Sequence, residues 1–559
     1  MKLVITTLNA KYIHTSLALR WLYVANKDYF DISLQEYTIK EDIALIQENI
    51  LQENPQVVAI GVSIWNVSLI EKLVLSLKHE QPELIIILGG PEVSYEPAFF
   101  LENWPVDFVI SGEGEFVLRE LLLAIKEDKN THEIKAVSSP KHISTHVAQA
   151  AIKDLELLDS PYQLEADTES LKNRLVYFET SRGCPYQCQY CLSSLEKGVR
   201  YFSLDYIEKN LNYLISQATK QIKFLDRTFN LQEERTKVIF EYLKTKYRPQ
   251  LSLQFEIYAD LLSQEIIEFL NNEIPENYFR FEIGIQSTYE PSNIAVKRKQ
   301  DFDFLAKRVR QLIEGGKVDL HLDLIAGLPH ETYERFKISF NQVFALRAKE
   351  VQLGFLKLLR GTGLRKNANL HAYVFEENAP YTVIKNKYIS EEDLEKIHWA
   401  EHALEKYWNS GRFKESMHYI FETSKYQGRY YEFFEDVGIY YQENNLPLFA
   451  YQLEDLYFNI HTFLATKNIN ASHTLREDYY DNFTYRPTRY WKENLSKEVK
   501  KKILRFIAQD KNFLSEHELT KRTIEKQAVV DILDEEYYLL NIFPNKKDGS
   551  KRIQLKYKR

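Results

Sequence analysis

The chain has 559 residues, 44% of them hydrophobic and 27% charged, with a net charge of −8. That length predicts about three or four domains with ordinary cores, and the acidic balance gives no whole-chain basic field to draw in nucleic acid. There are only three cysteines, no apolar run long enough to span a bilayer and no signal-peptide pattern at Met1–Lys11, which argues against a disulfide framework and a membrane span and reads as cytoplasmic.

Residues 1–125 alternate short apolar strands with amphipathic helices. Strands are expected at Lys2–Leu8, Asp31–Ile39, Val57–Ser63, Glu83–Leu88 and Val106–Ser111. Between them Ile70, Leu73, Val74 and Leu77 recur at i, i+3, i+4, i+7, the period of a helix with one buried face. This alternation predicts a Rossmann-like, doubly wound parallel sheet, whose ligands bind beyond the carboxyl ends of the strands. The turns there carry Ser63, Gly89-Gly90 and Gly112-Glu113, and His14 lies in the loop after the first strand. Glycines at such turns either let the backbone approach a ligand or serve turn geometry alone. Residues 126–173 are polar and weakly patterned, and read as a linker.

Over 174–375 the alternation restarts with a longer period. Strands are expected at Leu175–Thr180, Gln221–Leu225, Ser252–Tyr258, Tyr278–Ile285, Asp319–Ile325 and Val351–Leu358, a partial barrel of six strand–helix units rather than eight. The first strand delivers Ser181-Arg-Gly-Cys-Pro-Tyr-Gln-Cys-Gln-Tyr-Cys-Leu192, which spends Cys184, Cys188 and Cys191 on one CxxxCxxC loop. Three thiolates hold three corners of a cuboidal iron–sulfur cluster and leave one iron open to another molecule. Zinc is the alternative, and would need a distant histidine as its fourth ligand. Polar residues stand at the ends of later strands, where barrels place function: Asp226, Glu282, Gln286, Ser287 and Asp323, with Gly327 and Leu328 following.

Residues 376–559 lose the strand–helix rhythm and predict a mainly helical domain, with amphipathic helices at Glu391–Tyr407 and Lys497–Gln509 and a terminal hairpin turning at Asp548-Gly549 among lysines. The aromatics Tyr430, Tyr431, Phe433 and Phe434 read as core. His398-Trp-Ala-Glu401-His402 fits HxxEH, the inverted zinc-protease signature, but a solvated helix face is the plainer reading because no third ligand stands out.

The cysteine loop, together with Glu282-Ile-Gly-Ile-Gln286-Ser287 and Asp323-Leu-Ile-Ala-Gly327-Leu-Pro329, resembles the radical S-adenosylmethionine (SAM) superfamily. The run LGGPEVSYEP followed by VDFVISGEGE resembles the cobalamin-binding domain that precedes the barrel in one large class of it. The resemblance implies a 4Fe-4S cluster on Cys184, Cys188 and Cys191, with SAM chelated at the open iron. It implies Tyr190, Gly327 and Leu328 near the adenine, Asp226 at the SAM amino group, and Glu282, Gln286 and Ser287 near the ribose. It further implies cobalamin lined by Ser63, Gly89, Gly90, Gly112 and Glu113. His14 is a candidate lower cobalt ligand, although Tyr12 and Leu17 replace the Asp and Gly of the DxHxxG loop; a plain loop or helix-cap histidine is the alternative. Arg227 and His330 depart from the residues many relatives carry. The implied chemistry is reductive SAM cleavage to a 5′-deoxyadenosyl radical and methylation of an unactivated carbon of a small-molecule or peptide substrate, with a reductant such as flavodoxin or ferredoxin. Rearrangement or ring contraction, a methylthiotransferase-like activity that lacks its further cysteines here, and a corrinoid- or redox-sensing regulator are the alternatives.

Overall fold

The computed structural model describes residues 1–144, 151–164, 167, 171–196, 198–483, 495–543 and 553–559. They form two units, Met1–Leu394 and Glu395–Arg559. Among the described residues no helix is long and apolar enough to cross a membrane.

The first unit opens with β1 (Lys2–Asn9), α1 (Leu17–Asn26), β2 (Asp31–Thr38), α2 (Ile43–Gln52), β3 (Val57–Gly61), α3 (Val67–Glu80), β4 (Ile85–Gly89), α4 (Pro97–Asn103), β5 (Phe108–Ile110) and α5 (Glu115–Lys126). The strand order is β2-β1-β3-β4-β5, all parallel, the doubly wound sheet expected from sequence. Its central strands are apolar on both faces because both are covered. Val4, Val58, Ile60 and Ile86 pack with α2, α3 and α4, while Leu3, Ile5, Ala59 and Ile87 pack with α1 and α5. Within the segment read as a linker, β6 (Val137–Ser138) pairs antiparallel with β5; two residues are too few to leave a period-two signal in the sequence.

The barrel comprises β7 (Leu175–Phe178), the short hairpin of β8 (Ser181–Cys184) and β9 (Gly198–Tyr201), α6 (Leu204–Ser216), β10 (Gln221–Phe224), α7 (Glu233–Thr245), β11 (Ser252–Ile257), α8 (Gln264–Glu273), β12 (Phe279–Gln286), α9 (Glu290–Ala295), α10 (Phe302–Gly315), β13 (Asp319–Ala326), α11 (Tyr333–Phe344) and β14 (Glu350–Phe355). Six parallel strands run in the order β14-β13-β12-β11-β10-β7. Strict alternation along β12 and β13 gives each strand two different faces. Phe255, Phe279 and Phe281 meet Phe240 of α7 on the helix side. Their alternates Glu256, Glu282, His321 and Asp323 therefore face the interior. The unit ends with α12 (Gly363–Lys366), β15 (Val374–Phe375) and β16 (Val383–Lys385).

The second unit takes in most of α13 (Glu391–Leu404), then α14 (Lys414–Thr423), α15 (Tyr430–Glu443), α16 (Leu453–Thr466), α17 (Ser472–Asn482), α18 (Lys497–Ile507), α19 (Lys511–Glu516) and α20 (Lys521–Gln527). Tyr431, Phe433 and Phe434 are fully buried, as core aromatics. At the end, β17 (Ala528–Ile532), β18 (Tyr537–Ile542) and β19 (Ile553–Lys558) form a three-stranded antiparallel sheet. The expected turn at Asp548-Gly549 lies outside the described residues.

Candidate functional site

The cysteine loop sits where β7 leaves the barrel. Gly183 in β8 has φ +95°, and a Cβ there would overlap the Gly198 carbonyl oxygen, so only glycine lets the two hairpin strands close. The loop is pinned by its own backbone. Gln189 N–H donates to Val296 O at 2.9 Å, Leu364 N–H donates to Gln189 O at 2.9 Å, and Cys191 N–H donates to Cys188 O at 3.0 Å. All three thiols are free; Cys188 is buried, and Cys184 and Cys191 are half-exposed. Burial pushes the Cys184 thiol up, and the charges of Cys191 and Cys188 push it the same way. Three thiols close enough to repel one another as thiolates make a donor set that fits a cationic cluster.

Asp226 is 1% exposed at the end of β10. Its carboxylate accepts from Thr180 N–H at 3.1 Å, Thr180 Oγ1 at 2.6 Å and Ser181 Oγ at 2.5 Å. This group, singled out from sequence as a SAM contact, thus grips the root of the cysteine loop. Tyr190 lies against Arg298, whose guanidinium is 3.3 Å from the Tyr190 hydroxyl and 4.0 Å from Cys188 Sγ and stacks 5.1 Å over the Tyr258 ring. Arg298 had no signal in the sequence, because it follows a short helix rather than a strand end.

On the far side of the mouth, β12 breaks register between Gly284 and Gln286. Gln286 is forced to φ +69°, and its buried Oε1 has no hydrogen-bond partner among the described residues. An orphaned acceptor on a strained residue at a barrel mouth is what a bound ligand would satisfy. Ser287 Oγ instead donates to Glu331 Oε1 at 2.7 Å, which also accepts from Ser339 at 2.6 Å. Gly327 has φ +95° and offers its carbonyl to Tyr373 at 3.0 Å and Asn386 at 2.8 Å; Leu328 beside it is buried. The His330 ring is tilted against Tyr388, with the ring centres 4.7 Å apart.

Below the mouth the interior is charged. Lys223 Nζ donates to Glu282 Oε2 at 2.7 Å and lies 3.9 Å from Glu256, while His321 Nε2 lies 3.2 Å from Asp323. Burial, with the charges of Glu282 and Glu256, pushes Asp323 up to about 7. The folded protein therefore holds a proton that the unfolded chain releases near pH 4, so this group's contribution to stability falls as pH rises from about 4 to 7. Asp323→Asn is expected to flatten that slope and to add about 1–2 kcal/mol at pH 8, read by thermal unfolding across pH. A variant less stable than wild type at pH 8 would contradict the charge repulsion.

The loops of the first sheet meet the barrel. Gly90 has φ +104°, with Val62 O only 2.5 Å from where a Cβ would stand, and Gly89 O accepts from Val62 N–H at 2.8 Å. Ser63 begins the next turn, its N–H donating to Asn66 Oδ1 at 2.8 Å. Gly112, at φ +87°, donates to Ser94 Oγ at 3.1 Å. Glu113 is otherwise engaged. Its oxygens accept from Arg200 at 2.6 and 2.9 Å and from Ile152 N–H at 2.6 Å, which ties the sheet to the cysteine hairpin. Burial alone would raise Glu113, but Arg200 and Arg182 outweigh it and hold the carboxyl low. His14 pairs by backbone with Leu175, and its Nδ1 is 2.8 Å from the Tyr177 hydroxyl. Tyr95, after β4, is pushed up to about 12 by burial and by the charges of Glu196 and Cys191, which puts the β4–α4 loop within electrostatic reach of the cysteines.

Family models match three stretches: a B12 binding domain over residues 3–122, the Radical SAM superfamily over 178–343, and a family described as a protein of unknown function, DUF4080, over 369–553. Among curated relatives, the cobalamin-dependent radical SAM methyltransferase TokK of Streptomyces tokunonensis is 24% identical over 298 residues, 51% of this chain and 44% of that protein. The 2-(S-pantetheinyl)-carbapenam-3-carboxylate methyltransferase of Streptantibioticus cattleyicolor is 27% identical over 32% of this chain and 28% of its own length. The chain thus spans less than half the length of the curated relatives it matches. The structure of the cobalamin-dependent SAM radical enzyme OxsB with aqua-cobalamin and SAM superposes with a TM-score of 0.61 at 15% identity, covering 86% of this chain and 80% of that one. With the cysteine loop at the mouth of a six-stranded parallel barrel and a doubly wound sheet ahead of it, the chain carries a domain of the radical SAM superfamily behind a B12-binding domain, the domain types whose cofactors are a 4Fe-4S cluster, SAM and cobalamin.

Proposed function

We propose that this enzyme methylates an unactivated carbon of a small-molecule or peptide substrate, with its reducing electron drawn from a flavodoxin or ferredoxin. The observation that carries the reading is the junction of two candidate cofactor loops: Tyr95 of the β4–α4 segment packs on Gly361, which also neighbours Leu195 of the segment that follows the cysteines. When bound, the cluster and SAM supply a carbon-centred radical and the corrinoid a transferable methyl group, so the two chemistries need adjoining sites. The chain's own residues do the positioning. Asp226 holds the cysteine loop, Gln286 offers an unfilled acceptor, and the Lys223–Glu282 pair with Glu256, His321 and Asp323 gives the interior a charged lining that favours a polar substrate over a purely apolar one. Cys184, Cys188 and Cys191 would hold the cluster, and Ser63, Gly89, Gly90 and Gly112 would face the corrinoid.

The test is anaerobic reconstitution with hydroxocobalamin, iron, sulfide and SAM under reductant. Methyl transfer predicts retained corrin bands after desalting and formation of both 5′-deoxyadenosine and S-adenosylhomocysteine. The first product without the second would replace methylation by another radical reaction.

His14 supplies a separate prediction. Its ring is stacked on Tyr177 and held by the hydroxyl at Nδ1, and burial lowers its pKa, all in service of the contact with β7. Replacing His14 by alanine is expected to leave the cob(II)alamin EPR spectrum of the bound cofactor unchanged. Loss of a nitrogen splitting in that variant would make His14 the lower ligand.

A further inference from the structure

The second unit carries a feature the radical chemistry does not use. His398, Glu401 and His402 stand at i, i+3 and i+4 of α13, so all three project from one face. One donor atom from each lies within 4.8 Å of the other two. The two imidazole Nε2 atoms are 3.2 Å apart, with the rings at 72°. Two nitrogens on one tetrahedral zinc, each bonded at about 2.0–2.1 Å, would be about 3.3–3.4 Å apart. The nitrogen spacing already matches shared coordination, and a Glu401 carboxylate oxygen lies 3.7 Å from His402 Nδ1.

The platform is closely packed. Gly438 of α15 lets that helix lie directly on the Trp399 backbone, where a Cβ would come within 2.8 Å of the carbonyl. Immediately after α13 the chain makes a π-helical turn, Glu405–Asn409, a distortion often found at ligand sites. Phe449 covers His402 with its ring 5.5 Å away. Lys406 is buried, with its Nζ 5.7 and 5.3 Å from the ring centres of Tyr441 and Tyr451.

The geometry points to a divalent transition-metal site at His398, Glu401 and His402, taking zinc or a similar ion through two imidazoles and a carboxylate, with the remaining positions open to water or a ligand. The inference is independent of the methyl-transfer reading, because none of these residues belongs to the barrel.

The experiment uses the full chain with its cluster reconstituted, equilibrated with excess Zn²⁺ and desalted. Elemental analysis is expected to give about one zinc per chain, and zinc-edge X-ray absorption a nitrogen and oxygen shell at about 2.0–2.1 Å. His398→Ala and His402→Ala should each weaken zinc binding by about 100-fold or more, and Glu401→Gln by about tenfold, with iron content and circular dichroism unchanged. Zinc absent from the wild type, zinc retained equally by both histidine variants, or a sulfur shell at about 2.3 Å that would place the metal on the cysteines, each overturns the site.

Discussion

Alanine at Cys184, Cys188 or Cys191 is expected to abolish SAM cleavage while the chain still folds. Two thiolates cannot hold a cuboidal cluster with one open iron, so iron content and the cluster's visible absorbance should collapse together with 5′-deoxyadenosine release. The fall should exceed about 100-fold, the range seen when only supporting residues around a metal are lost. Folding should survive because backbone contacts fix the loop: Gln189 is held from both sides, by Val296 and Leu364, and Asp226 grips Thr180 and Ser181 whether or not a thiol is present. Cys188 is the most buried of the three, and its truncation costs about 1 kcal/mol of packing, well short of unfolding a chain this size. A variant that kept full iron with one cysteine gone would mean a fourth ligand from elsewhere, and would reopen the zinc-like arrangement weighed from the sequence.

The parts legible in the sequence were those with a short period or a short spacing. The strands of both sheets were placed within a few residues because apolar runs such as Ile85–Gly89, and the alternation along Asp319–Ala326, repeat over distances a window can see. The cysteine loop was legible because three rare residues fall within eight positions. What the sequence hid depends on long-range contacts. Nothing local distinguishes Glu113 as a partner of Arg200, 87 residues away, from Glu113 as a ligand to a cofactor. Nor can spacing reveal that Asp226 turns back on Thr180, that Gln286 is strained by a bulge, or that Arg298 lies against Cys188. The HxxEH pattern was visible, but whether its donor atoms converge depends on side-chain rotamers and on the bare Gly438 surface beneath them. Where a site residue's role is set by what it meets across the fold, the sequence supplies the candidate and the packing supplies the partner.

Replacing Arg360 by alanine should destabilise the first unit by about 3–5 kcal/mol, because it strands a buried carboxylate. The Arg360 and Glu92 side chains are 8% and 4% exposed. Arg360 Nε donates to Glu92 Oε1 at 3.1 Å, the Tyr381 hydroxyl donates to the same oxygen, and another edge of the guanidinium meets Glu96. The guanidinium also stacks 4.1 Å over Phe99, so the loss includes packing as well as charge. Burial already pushes Glu92 up, with Tyr381 and Arg360 opposing it. Without the arginine, Glu92 regains stability only by taking a proton, so the deficit should be larger at pH 8 than at pH 5. Adding Glu92→Gln to Arg360→Ala should recover most of the loss, since no buried charge then remains. Urea unfolding followed by circular dichroism at both pH values checks the sign and the size. The consequence for function follows from where the pair sits. Glu92 and Glu96 flank Tyr95 on the β4–α4 loop of the B12-binding sheet, and Arg360 follows the last barrel strand, beside the Gly361 that Tyr95 packs on. Breaking the pair frees the loop carrying Gly90 from the barrel mouth, so cobalamin retention after desalting should fall along with stability in Arg360→Ala and return in the double variant. Retention unchanged in the single variant would mean that the corrinoid loops hold their position without this bridge.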